Sequence, residues 1–292
     1  MHPPKPFAAL LTRLQDLSRQ PARSAGWDWP DALPPSADWW SPELVSLHGS
    51  AAVEACDAEC LRRLAAQEAR NFFSLAYHGE RSFVASLRGL RARHAADRAF
   101  ADYLDVLIAE EVRHMDMFRQ FCERYAGGLL PDRMIPFPTN EEDPTLELVV
   151  YCQAFLFEEI LDHFNVVMAR DERLHPLIRE IHRVHHVEEA RHLAFDRACI
   201  QEEFARLQAT LDAARLEAEQ REISDYLERY VACLRGEFCS VDAYRAAGVQ
   251  EPFAARRAAL TAGGLWIAQR EALRPARAFL SGFGLLPAAE AA

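Results

Sequence analysis

One five-residue cluster occurs twice in the chain, as Glu110-Glu111-Val112-Arg113-His114 and as Glu188-Glu189-Ala190-Arg191-His192. On an α-helix three residues advance by about 300°, so the second Glu and the His of each copy lie about 60° apart on one face. A lone copy would be ordinary surface decoration, because acid–base pairs at i, i+3 and i, i+4 are common on solvated helix faces. Two copies in the same context are not. Each follows a helical stretch with acid inside an apolar run: AAQEARNFF around Glu68, and AFLFEEILDHF around Glu158 and Glu159. The chain therefore reads as a two-fold repeat of helix pairs.

A Glu and a His on one helix face can share a metal ion. A Glu from each of two helices, with a Glu-x-x-His from each of two others, is the ligand arrangement of ferritin-like di-iron and di-manganese carboxylate bundles. The expected fold is all-α: a ferritin-like four-helix bundle core with additional N- and C-terminal helices. Helical patterns run over roughly 54–78, 96–125, 144–170, 173–205 and 205–235, with a shorter pair within 241–285, and no strand pattern is evident. GGLLPDRMIPFPTNEEDPT (127–145) breaks helix with Pro and Gly and links the two halves. Residues 1–50 read as an irregular arm whose Trp-rich part lies against the body. Residues 51–292 read as one domain, with the metal-binding bundle at 54–205 and the C-terminal helices at 206–292.

Composition narrows the function classes. Half the residues are hydrophobic and 26% are charged, which suits a globular core. With 33 Lys and Arg against 44 Asp and Glu, the net charge of −11 offers no footprint for nucleic acid. The most apolar stretch, 146–168, carries Glu147, Glu158, Glu159, Asp162 and His163, so it is a buried helix rather than a membrane span. Seven scattered cysteines lack the spacing of a zinc site or a disulfide framework, and no secretion signal is visible. A reducing, cytoplasmic setting is expected.

The second copy has further candidates. His185 lies four residues before Glu189 and seven before His192, within about 60° of both on the helix, so it can reach the same metal. His182 shares that face, while His186 is turned about 100° away. Either Glu158 or Glu159 can supply the single carboxylate of the preceding helix: Glu159 aligns with Glu68, and Glu158 shares a polar stripe with Glu147, Asp162 and Asn165. The stripe Phe72, Phe73, Phe83, Phe155, Phe157 and Phe164 reads as core. Arg113 and Arg191 point off the metal face, toward outer carboxylates such as Glu110 and Glu188.

HHVEEARH with its third histidine, the earlier EEVRH, and NFFSLAYHGE after a helix-borne Glu68 resemble the p-aminobenzoate N-oxygenase family of non-heme di-iron enzymes. The likeness covers roughly 55–205. It implies the metal ligands Glu68, Glu111, His114, Glu158 or Glu159, His185, Glu189 and His192. It also implies two iron ions, O2 as co-substrate, an external electron donor, and oxidation of a small amine to a hydroxylamine, nitroso or nitro product. The implied partners are that amine and a reductant, with neither nucleic acid nor membrane, and a homodimer is left open. Two other readings share the ligand helices. A ferritin-like ferroxidase needs no third histidine. A radical protein like the ribonucleotide reductase small subunit needs a Tyr near a ligand, and Tyr103 and Tyr151 are the candidates.

Overall fold

In a computed structural model of the chain, residues 5–20, 26–34, 36–262 and 264–288 are described. Residues 1–4, 21–25 and 35 of the expected arm lie outside them. The elements are α1 (Lys5–Ser18), α2 (Ala58–Arg93), α3 (Arg98–Tyr125), α4 (Leu146–Arg170), α5 (Pro176–Thr210), α6 (Ala213–Phe238), α7 (Val241–Ala247), α8 (Pro252–Ala262) and α9 (Gly264–Ser281). Among the described residues there is no strand, only an isolated bridge between Asp38 and Leu174. The all-α expectation holds.

The helix starts follow capping chemistry. Asp57, Asp97 and Asp212 accept from the backbone N–H of Cys60, Phe100 and Arg215, and so cap α2, α3 and α6. Pro176 opens α5, where a missing N–H costs nothing, and His175 Nδ1 accepts from Leu177 N. After α3 the chain turns at Gly127 and Gly128, with φ of 77° and 92°, a region that favours glycine. Gly128 N–H there closes onto Cys122 O at 2.8 Å. Arg70 Nε donates to Gly128 O at 2.7 Å, tying the interhelical connection to α2.

α2 packs along α3, and α4 along α5, as two helical hairpins that form the bundle core. α4 is buried nearly all round: of its run from Leu146 to Phe157 every residue is buried. The six phenylalanines of the expected core stripe are each 2% exposed or less. The tryptophan-rich arm does lie against the body: Trp39 meets Phe121, and Trp40 meets Phe72 and Phe164. Two features differ from the sequence reading. The arm's first part is a helix, α1, whose buried Leu11 and Leu14 pack where α1 crosses α3 and α5. α2 also runs on to Arg93, because Phe83, Val84, Leu87 and Leu90 continue its buried face past residue 78.

Candidate metal centre

The two hairpins bring carboxylates and imidazoles together in the middle of the bundle. Glu80, His114, His185 and Glu189 form one cluster; Glu111, His114, Glu189 and His192 form another, with the ligand atoms of each within 4.8 Å of one another. All six residues are buried. His192 Nδ1 is 2.9 Å from Glu111 Oε1 and 3.3 Å from Glu189 Oε2. His114 Nδ1 is 3.3 Å from Glu189 Oε1 and 3.7 Å from Glu111 Oε2. His185 enters through its other nitrogen: Nε2 is 2.8 Å from Glu189 Oε1 and 3.1 Å from Glu80 Oε1.

Outer groups hold these rings. His114 Nε2 meets Glu188 Oε2 at 2.9 Å and His192 Nε2 meets Glu110 Oε2 at 3.1 Å. Arg191 bonds to Glu110, and Arg113 lies 3.6 Å from Glu110 and 3.5 Å from Glu188, as the off-face orientation of both arginines predicts. His186 is turned outward onto Asp162 at 2.6 Å, and His182 is buried against Asn165 at 2.7 Å.

The structure separates the two adjacent acids of α4. Glu158 is buried, and neither of its oxygens has a hydrogen-bond partner; burial, then its neighbours Asp196, Glu189 and Glu111, push its carboxyl well above the usual range. Glu159 points the other way and pairs with Arg197 near the surface. Of the two alternatives the sequence leaves open, Glu158 is the one that lies inward, on its polar stripe.

Glu68 is not in the cluster. Its oxygens accept from Ser46 N at 3.0 and 3.2 Å and from Ser46 Oγ, which in turn meets Tyr244 Oη at 2.7 Å. Burial outweighs those hydrogen bonds and raises its pKa to about 8. The carboxylate that α2 delivers to the centre is Glu80, three turns on. A signal for it exists in the sequence. Glu111 and Glu189, His114 and His192, and Glu80 and Glu158 are each 78 positions apart, so one displacement relates these six residues across the two halves, and only His185 has no counterpart among them. The alignment of Glu68 with Glu159, a displacement of 91, puts α2 in a different register and selects Glu68 instead. Asp196, one turn beyond His192, was also missed: it is buried beside Glu158, neither of its oxygens has a partner, and burial pushes it well up.

The donor set fits a pair of metal ions. Buried polar atoms without a hydrogen-bond partner include Glu80 Oε2, both oxygens of Glu111 and Glu158, Glu189 Oε2, His114 Nδ1 and His192 Nδ1. Buried polar atoms are rarely left unpaired, and here those of Glu80, Glu111, Glu189, His114 and His192 belong to the two clusters, with Glu158 beside them. Burial opposes charge on His114 and His192, yet the surrounding glutamates hold both well above the usual imidazole range, so the field at the centre favours cations. Four carboxylates, from Glu80, Glu111, Glu158 and Glu189, balance two divalent ions, and oxygen and imidazole donors together suit iron or manganese. His114 and His192 would bind through Nδ1 and His185 through Nε2.

Fold and site together define a ferritin-like di-metal carboxylate protein. The comparisons go one step further. The family described as p-aminobenzoate N-oxygenase AurF matches residues 6–284, and the chain belongs to it. No curated protein matches the chain. Among solved structures it is similar to two variants of an R2-like ligand-binding oxidase with a reconstituted Mn/Fe cofactor. One is 13% identical with a TM-score of 0.53, over 95% of this chain and 93% of that one. The other is 12% identical with a TM-score of 0.50, over 91% and 93%. At that identity the likeness speaks for the fold. The family makes the chain an oxidoreductase. No helix among the described residues is long and apolar enough to cross a membrane.

Proposed function

We propose that the protein is a di-iron N-oxygenase that oxidises the nitrogen of a small amine. Family membership supports this, and the observation that carries it is His185, a third imidazole inside the carboxylate cluster, 2.8 Å from Glu189 and 3.1 Å from Glu80. Bound by Glu80, Glu111, His114, Glu158, His185, Glu189 and His192, two irons would supply the redox chemistry with dioxygen. In the first oxidation an N–H becomes N–OH: R–NH2, O2, two electrons and two protons give R–NHOH and water. The electrons come from an external donor. Repeating the oxidation leads to nitroso and nitro products.

The chain's own part is containment and orientation. The ligand groups are at most 5% exposed, so bulk water is kept from the reacting atoms. Glu110 and Glu188 hold the His192 and His114 rings with Nδ1 inward. Burial pushes the neighbouring carboxyls of Asp196 and Glu158 well above the usual range, which favours holding a proton there.

The test is turnover. Iron-reconstituted, chemically reduced protein exposed to O2 with p-aminobenzoate and with short aliphatic amines should give products heavier by one oxygen or more. Uncoupled O2 consumption with every amine, with iron bound, would overturn N-oxygenation.

A further inference from the structure

The 78-residue displacement that superposes the ligands carries Asn165, His182 and His185 onto Leu87, Leu104 and Leu107. All six are completely buried. One half of the bundle thus has three leucines where the other has three polar side chains. Burying an amide and two imidazoles is costly unless their polar atoms pair, and here the amide pairs with one nitrogen of each ring, leaving His182 Nε2 without a partner. The Asn165 carboxamide sits between two rings, with Nδ2 2.7 Å from His185 Nδ1 and Oδ1 2.7 Å from His182 Nδ1.

We propose that Asn165 is a positioning residue that sets the proton of His185 on Nδ1, so that its Nε2 lone pair faces the ion held with Glu80 and Glu189. The inference rests on the metal reading of the site. A neutral imidazole has one N–H and one lone pair. Metal binding at Nε2 uses the lone pair there, so the proton must lie on Nδ1, and Nδ1 then needs an acceptor. Asn165 supplies one by presenting Oδ1. Its Nδ2 then donates to His182 Nδ1, and the His182 proton moves to Nε2, among Trp40, Phe72 and Phe73.

The opposite orientation, with Nδ2 toward His185 and Oδ1 toward His182, leaves the His185 proton on Nε2, where it faces Glu189 and Glu80. The two orientations differ by a half-turn of the carboxamide and use the same heavy-atom positions. Both use the same two 2.7 Å contacts, and His182 Nε2 has no hydrogen-bond partner in either; metal at His185 selects the one that turns Oδ1 to it. His182, which does not face the ligands, reports the choice through its own tautomer. Leu104 and Leu107 show what the same positions become in the half that has no such imidazole to orient.

The test uses zinc, which is redox-silent, and three proteins: wild type, Asn165→Leu and Asn165→Asp. In Asn165→Leu, affinity for one of the two ions should fall about 10–100-fold, the range for losing an outer partner of a ligand His, with helicity unchanged. Asn165→Asp accepts from both rings and should recover the affinity. Nitrogen-15 NMR of histidine in the wild type should show the His182 proton moving from Nδ1 to Nε2 on zinc loading. Wild-type affinity for both ions in Asn165→Leu, no recovery in Asn165→Asp, or an unchanged His182 tautomer would each overturn the role. If the zinc results come out as stated while the iron protein leaves every amine untouched, the positioning role stands and the proposed reaction falls.

Discussion

His114 of α3 donates from Nε2 to Glu188 of α5 at 2.9 Å, so the histidine of one repeated cluster is held by the first glutamate of the other. The relation is reciprocal: His192 of α5 donates to Glu110 of α3 at 3.1 Å. This explains why the glutamate is doubled in both clusters. The second Glu faces the centre, and the first reaches across to orient the opposing imidazole and raise its basicity.

Graded metal loss follows from that division. Glu111→Ala or Glu189→Ala removes a ligand and should abolish binding of at least one ion. Glu110→Ala or Glu188→Ala should weaken binding about 10–100-fold without abolishing it. Metal titration of the four variants is the measurement, and equal loss across all four would show that the inner and outer faces are misassigned.

Glu80 and Glu68 can be separated directly. Both are buried glutamates on α2, and burial raises both to a pKa of about 8. Only Glu80 faces the histidines. Wild type and Glu68→Gln reconstituted with ferrous iron should each hold about two ions per chain, the number a complete four-helix ligand set takes, whereas Glu80→Gln should hold fewer. Full occupancy in Glu80→Gln would remove it from the ligand set.

Glu68 also makes a pH prediction. Its folded pKa of about 8 stands above the ordinary 4.5 because burial outweighs the Ser46 hydrogen bonds. Folding therefore takes up a proton, and the stability linked to neutral Glu68 is complete below about pH 4.5, declines across the window, and is lost above about pH 8. Glu68→Gln stays neutral throughout. Its denaturation midpoint should fall less than the wild type's between pH 6 and 8.5; identical pH dependence would mean that Glu68 is ionised in the fold.

Much of this was legible in the sequence because helical phase and duplication are local properties. The inward face of Glu111, His114, Glu189, His192 and His185 follows from angles along single helices, and so does the outward turn of His186. What was not legible depended on how helices meet. Glu68 and Glu80 are both acids in apolar surroundings, and helical phase alone does not choose between them; the register of α2 against α3 does, and the 78-residue displacement is its one trace in the sequence. Glu158 and Glu159 differ by one position, and the packing of α4 against α5 settles that Arg197 takes Glu159. Helix α1 is short, and its stability comes from docking on α3 and α5, which a single segment does not reveal.

Gly79 precedes Glu80 at a close approach of α2 to α4. A Cβ built there would lie 2.1 Å from Phe157 Cζ, and Phe157 is the neighbour of Glu158. Gly79→Ala should therefore cost about 1–3 kcal/mol by overpacking, although alanine is the better helix former. It should also weaken metal binding as the displaced ring shifts Glu158. Thermal unfolding and metal titration check the two effects, and a stabilised variant with normal metal affinity would show that the ring yields freely.

The remaining prediction separates His185 from its neighbours on α5. His185 is completely buried and meets Glu80 and Glu189, whereas His186 is partly exposed and bonds to Asp162. Under the displacement that relates the two halves, the other half carries Leu107 at the position of His185, so the imidazole adds a nitrogen donor to one side of an otherwise symmetric carboxylate site. Such a donor changes which coordination positions stay open and how electron-rich that side is, so it bears on reaction more than on folding. His185→Ala should keep the helical circular dichroism and, at saturating iron, most of the metal, with affinity for one ion lowered at least as far as in Asn165→Leu, but lose conversion of p-aminobenzoate by the reduced protein with O2, followed by product mass. His186→Ala loses a hydrogen bond to Asp162 near the surface and should stay active, with a stability change of about 1 kcal/mol. If His185→Ala turns over normally while His186→Ala is inactive, the third imidazole is not part of the centre, and the strongest ground for N-oxygenation over iron oxidation goes with it.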